Sequence, residues 1–218
     1  MKPGSLFNDY HKYRLLEMIP GVLAWGTLLG AIVLTLTRPL TMVYVVIAYD
    51  FYWMVKVIYV NTFLFISFIK YKKTMRINWV ERCRTLPDYT NVTHVVFIPN
   101  ASEQLTVVES TFAALQQNLF PKQQTIIVFA AEQRFPSSII NGQTMKQRYG
   151  DAYKAFLVTE HPDALPGELA TKGANLAYAA RAVQQIIDAE HISYQQIIVT
   201  ILDVDSCVEE QYFHYLTY

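Results

Sequence analysis

The chain has 218 residues, enough for one ordinary soluble domain plus a membrane segment and too few for a string of domains. Its formal net charge of zero hides an asymmetry: residues 1–84 hold 11 Lys/Arg against 4 Asp/Glu, whereas residues 85–218 hold 7 against 14. The acidic larger part argues against a nucleic-acid partner, which needs clustered positive charge. The basic first third points to a membrane or a phosphate-rich face.

In chain order, residues 1–17 form a tail carrying Lys2, Lys12 and Arg14. Met18 to Thr37 is apolar and uncharged, long enough as a helix to cross the hydrocarbon core. Gly26 and Gly30 sit four apart, either a close-packing face or loose glycine usage in a membrane helix. Pro39 suits the first position of a new helix. A second apolar stretch runs from Leu40 to Ile69, so residues 18–69 read as a two-helix transmembrane hairpin. Asp50 and Lys56 lie inside the second span, about 120° apart on a helix, so they are not a default ion pair. Arg38 is the one cation in the turn, while Lys70, Lys72, Lys73, Arg76, Arg82 and Arg84 follow the second span. The positive-inside rule then puts both ends in the cytoplasm, as for a plasma-membrane protein. Residues 70–91 form a basic segment, in which Ile77, Trp79, Val80 and Leu86 among arginines predict an interfacial helix over 76–89.

From residue 92 the pattern becomes α/β. Apolar runs at 94–99, 125–131 and 196–205, with a weaker one at 154–159, suit strands covered on both faces. Helical periodicity covers 105–117 and 169–189. The alternation predicts a mostly parallel, doubly wound, Rossmann-like sheet, with ligands at the carboxyl ends of its strands. Polar groups cluster in those four loops: Glu103, then Glu132 to Arg134, then Lys172, Gly173 and Asn175, then Asp203 and Asp205. There is no G-x-G-x-x-G, Walker motif or G-x-S-x-G, which disfavours dinucleotide, P-loop and serine-hydrolase chemistry. Cys83 and Cys207 match no zinc spacing and read as free thiols. An Asp-x-Asp pair at a strand end offers oxygen ligands to Mg²⁺ or Mn²⁺, and a lysine beside it suits a diphosphate. The alternative is that Asp205 caps a helix beginning near Val208.

Three stretches carry a more specific pattern. They are "HVVFIPNASEQLTVVESTFAALQQNLFPKQQTIIVFAAEQR" (94–134), "HPDALPGELATKGANLAYAAR" (161–181) and "VTILDVDSCVEEQYFHYLTY" (199–218). Together they resemble the membrane-bound family 2 glycosyltransferases over nearly all of residues 92–218. The resemblance implies a GT-A fold whose donor-binding half occupies 92–218. It implies transfer of a sugar from a nucleotide-diphosphate sugar to a sugar or lipid acceptor at the cytoplasmic face of the bilayer. It also implies that Glu103 and Glu132 line the nucleotide pocket and that Lys172 lies near the diphosphate or base. Asp203 would contact the nucleoside, and Asp205 a divalent metal (Mg or Mn). Where the family carries a Tyr-Asn pair before the first acid, this chain has Ala101 and Ser102, so the tyrosine's stacking surface is missing. The family's general base follows its D-x-D motif at a distance, and is therefore expected beyond Tyr218, with the chain a truncated donor half. A membrane-anchored, non-catalytic nucleotide-sugar-binding subunit is the alternative.

Overall fold

The computed structural model describes residues 3–218, with side chains from His11 onward, so Lys2 of the basic tail lies outside the described residues. The chain divides into two compact units, Met1–Met75 and Arg76–Tyr218.

The first unit is two helices, α1 (Pro3–Thr37) and α2 (Pro39–Thr74), broken at Arg38. Pro39 at the first turn of α2 has no N–H to lose there. Both helices exceed the expected spans, and each is long and apolar enough to cross a membrane. Their hydroxyls bond back to their own helix: Thr27 donates to the Leu23 carbonyl, Thr35 to Ala31 and Thr62 to Ile58. These hydroxyls are thus satisfied without water, as a bilayer would require. Lys56 lies over the Tyr52 ring one turn back, at 5.9 Å, and Asp50 is exposed. Between residues 11 and 73 only Ala31, Leu34 and Met42, around the break, are even half-buried. Away from the break, residues 11 to 73 are exposed on both helices.

The second unit is a three-layer α/β/α sandwich. Its strands are β1 (Thr93–Pro99), β2 (Thr125–Glu132), β3 (Ala155–His161) and β4 (Ile197–Ile201), all parallel, in the order β3-β2-β1-β4. Parallel strands need crossovers, supplied by α4 (Leu105–Gln117), α5 (Pro136–Tyr149) and α6 (Lys172–Ala189). Strand alternation sends Val96, Ile98, Ile127, Phe129 and Ala131 to one face, under Phe112 of α4, Met145 of α5 and Phe213 of α7 (Tyr212–Thr217). Val95, Phe97, Ile126, Val128 and Ala130 go to the other face, under Ala179, Val183 and Ile187 of α6. The four predicted strands are present. The last is shorter than expected, and the ladder ends as the Leu202 amide donates to the Phe97 carbonyl at 2.9 Å.

Three elements depart from the sequence pattern. Helix α5 had no apolar stripe to announce it, because Gly142 lets it sit almost on the sheet: a Cβ there would stand 2.6 Å from Phe129 Cδ1 and 2.8 Å from Val158 Cγ1. The expected interfacial helix shrinks to α3 (Trp79–Cys83), capped by the Asn78 side chain accepting from the Glu81 amide. It is tied to α7, where Gln211 Oε1 accepts from the Trp79 amide at 2.6 Å and buried Cys83 Sγ donates to the His214 carbonyl. Helix α6 starts at Lys172 rather than 169, since Leu165 to Glu168 closes a turn with Pro166 second and Gly167, at φ +80°, third.

Two outcomes follow. Gly142→Ala gains at most about 1 kcal/mol of helix propensity. Forcing two core side chains to move costs about 1–3 kcal/mol. The variant therefore melts at a lower temperature, as differential scanning of the detergent-solubilised chain would show. The second concerns His94, fully buried on β1 against Phe120 and Phe213, with Nε2 2.8 Å from Thr217 Oγ1. Burial first, and His214 second, push its pKa down to about 4 from 6.5. The unfolded chain therefore binds the proton more readily, so stability is intact above about pH 6.5 and declines as pH falls toward 4, by about 3 kcal/mol in all. His94→Gln flattens that slope in a pH series of melts.

Candidate functional site

The carboxyl ends of the parallel strands open into a cleft of roughly 390 Å³. It lies where the chain leaves β1 toward β2 while β4 sits on β1's other side, the reversal point at which open parallel sheets bind ligands. Its walls hold all five residues singled out in the sequence: Glu103, Glu132, Lys172, Asp203 and Asp205.

Each is placed by local chemistry. After β1, buried Asn100 is pinned from both sides: its amide donates to the Ala130 carbonyl at 3.0 Å and its own carbonyl accepts from Ser138 Oγ at 2.9 Å. Glu103 folds back over this turn, accepting from Asn100 Nδ2 at 3.0 Å and from the Ala101 amide at 2.8 Å. One of its oxygens is thus committed to ordering its own loop. Glu132, the last residue of β2 and 6 % exposed, is ion-paired with Arg134, whose guanidinium also lies over Phe135, 4.9 Å from the ring centre. A nearly buried carboxylate needs such a partner.

Asp203 and Asp205 continue the two-residue alternation past the end of β4. Leu202 and Val204 turn into the core at 7 % and 4 % exposure, and the aspartates between and after them face out. Buried Thr111 of α4 locks the register by donating to the Val204 carbonyl. The Ser206 amide donates to the Asp203 carbonyl, and no helix begins near Val208; α7 starts at Tyr212. Asp205 is therefore not a cap at Val208.

Lys172 is the first residue of α6, and its ammonium bonds Asp203 across the cleft with both groups more than half exposed. Thr171 caps the helix, its Oγ1 accepting from the Ala174 amide at 3.3 Å. Asn175, 1 % exposed, fixes that end over the sheet through Nδ2 to the Ala130 carbonyl at 2.8 Å. In "KGAN" the asparagine thus aims the helix terminus and the lysine faces the cleft. The N-terminus of an 18-residue helix carries partial positive charge and unpaired amides suited to an anion.

Arg134, which the sequence places in the polar loop after β2 without giving it a role, also lines the cleft. Its signal was a cation two residues beyond the acid that ends β2. With it, the cleft holds four carboxylates against two cations. Glu132 and Arg134 also wall a second cavity of roughly 70 Å³ beneath the 162–170 loop, where His161 Nε2 lies 3.6 Å from Glu168 Oε2. Among the described residues no group of three or more His, Cys, Asp and Glu is placed to hold a metal ion by itself. No protein-family model, curated protein or solved structure matches this chain.

Asn175→Ala removes the bond that aims α6, while the Ala130 carbonyl keeps the Asn100 amide. The expected loss is that of one hydrogen bond, about 0.5–1.5 kcal/mol of stability. Lys172→Ala, at an exposed site, leaves the melting temperature within error. Thermal melts of the two variants side by side separate the positioning residue from the cleft-facing one.

Proposed function

We propose that the second unit is the donor-binding half of a membrane-anchored glycosyltransferase that takes a nucleotide-diphosphate sugar with a divalent cation, Mg²⁺ or Mn²⁺. The observation that carries this reading is the convergence of Glu103, Glu132, Lys172, Asp203 and Asp205 on one cleft at the reversal point of a parallel sheet. The resemblance to family 2 enzymes supports the same assignment. The two apolar helices and the basic stretch after them support a cytoplasmic orientation of the unit.

The cleft's charge supports the need for a cation. Four carboxylates against two cations repel a bare diphosphate. Two adjacent aspartates do not complete a coordination shell, but magnesium sites are commonly one or two carboxylates plus substrate phosphates. Asp203 and Asp205 fit that pattern, with Asp205 the freer of the two because Asp203 is bonded to Lys172. When bound, the cation would neutralise charge developing on the departing diphosphate. Lys172 and the α6 terminus add fixed positive charge on the same side. Glu132, held by Arg134, presents a nearly buried acceptor to a donor group of the nucleoside.

Calorimetry tests this reading. Mn²⁺ alone binds weakly, a nucleoside diphosphate alone binds weakly, and the two together bind at least about thirtyfold more tightly. Asp205→Asn abolishes that synergy, a loss on the order of 2–5 kcal/mol, with an unchanged melting temperature. Equal affinities for Asp205→Asn and the parent would remove Asp205 from the metal site.

A further inference from the structure

We propose that α3 and α7 together form a docking platform for anionic lipid headgroups, so that the second unit meets the bilayer through its own surface as well as through its tether. This rests on the reading that α1 and α2 span a bilayer.

The platform is a cluster of aromatic rings around one arginine. The Trp79 ring lies 4.8 Å from Tyr215 and 5.6 Å from Tyr218. The Arg82 guanidinium lies 5.6 Å from the centre of the Trp79 ring and 5.3 Å from that of Tyr218. Trp79 is half-buried, whereas Arg82 is exposed, and Tyr215 and Tyr218 are 46 % and 52 % exposed. The joint between α3 and α7 is already secured by fully buried Cys83 and by Gln211. Tryptophan and tyrosine favour the headgroup layer because each has an apolar body and a polar tip. Stacking on two rings holds the guanidinium in place, and its fork of donors matches phosphate geometry.

Charge and covalent reach select the partner. Residues 70–87 carry Lys70, Lys72, Lys73, Arg76, Arg82 and Arg84 against the single acid Glu81, which suits an anionic surface. Trp79 follows the end of α2 at Thr74 by five residues, at most about 18 Å of chain. A helix that leaves a bilayer at its basic end thus keeps Trp79 within reach of the headgroups. The sequence alone suggested an isolated interfacial helix. The fold replaces it with a composite surface, half of it supplied by residues some 130 positions later.

The test uses the full chain reconstituted in vesicles with brominated acyl chains, reading tryptophan quenching. In Trp25→Phe/Trp53→Phe the signal comes from Trp79 alone; in Trp25→Phe/Trp79→Phe it comes from Trp53 within α2. Trp79 is expected to be quenched in vesicles containing phosphatidylglycerol and far less in pure phosphatidylcholine. Arg82→Gln should shift the docked population about fivefold, the effect of one cation near an anionic surface. Tyr218→Ser, which removes only an exposed ring, should weaken quenching in the same direction. If Trp53 is quenched and Trp79 is not, the surface faces water or a protein and the platform is wrong, while the spanning reading stands. Quenching of Trp79 that ignores both phosphatidylglycerol and Arg82→Gln overturns the headgroup role. Quenching of neither tryptophan overturns the spanning reading and the platform with it.

Discussion

The two hydrogen-bonded ladders that flank β1 set the position of every side chain in the cleft. β1 pairs with β2 from His94 to Pro99 and with β4 from Thr93 to Phe97. Asn100 is the first residue after β1, Glu132 the last of β2 and Asp203 the second after β4, so strands in fixed register place all three. A one-residue slip of β4 would send Asp203 into the core and Leu202 into the cleft. The Thr111 hydroxyl on the Val204 carbonyl guards against that slip, because it can bond only one register of the chain. Asn175 does the same for α6 by reading the Ala130 carbonyl, which also receives the Asn100 amide. One carbonyl at the end of β2 thus ties the β1 loop and the α6 terminus to a common origin.

Much of this was legible in the sequence, and the exceptions have physical causes. The strands showed because parallel strands buried on both faces must be apolar throughout, and Val95–Ile98 and Ile126–Ala131 are. Helix α5 did not show. Met145 is the only large apolar side chain it buries fully, and its other buried residues, Ser138, Asn141 and Gly142, are small or polar, so no hydrophobic period marks the contact. The five cleft residues were legible as acids and a lysine just after strands. What sequence could not show is how far their charges are already engaged: Glu103 with its own loop, Glu132 with Arg134, Asp203 with Lys172. Of the four carboxylates, Asp205 alone makes no hydrogen bond or ion pair among the described residues. The α3 segment was legible only in part, for a different reason. Its tryptophan and arginines carry an interfacial signature, but the α7 residues that complete the surface are remote in sequence.

The first unit obeys a simpler rule. From Tyr13 to Met75 the large apolar side chains are exposed almost without exception. The transfer of such surface from water contributes about 25 cal/mol for each square ångström. No soluble arrangement of two barely touching helices recovers that energy, whereas lipid tails or further membrane helices do. The backbone is compatible with either, since each helix satisfies its own amides and the hydroxyls of Thr27, Thr35 and Thr62 bond back to their own helix.

The Lys172–Asp203 bond gives the cleft a resident competitor. Any anion that approaches the α6 terminus has to draw the ammonium off a carboxylate that already occupies its place. Both groups are more than half exposed, so the exchange is inexpensive. It does, however, discriminate: a singly charged guest merely substitutes for Asp203, and a multiply charged one gains over it. Added salt weakens the incumbent bond and the incoming one alike. Occupancy of this cleft should therefore vary with ionic strength less steeply than the number of charges around it implies, leaving the charge of the guest as the main filter.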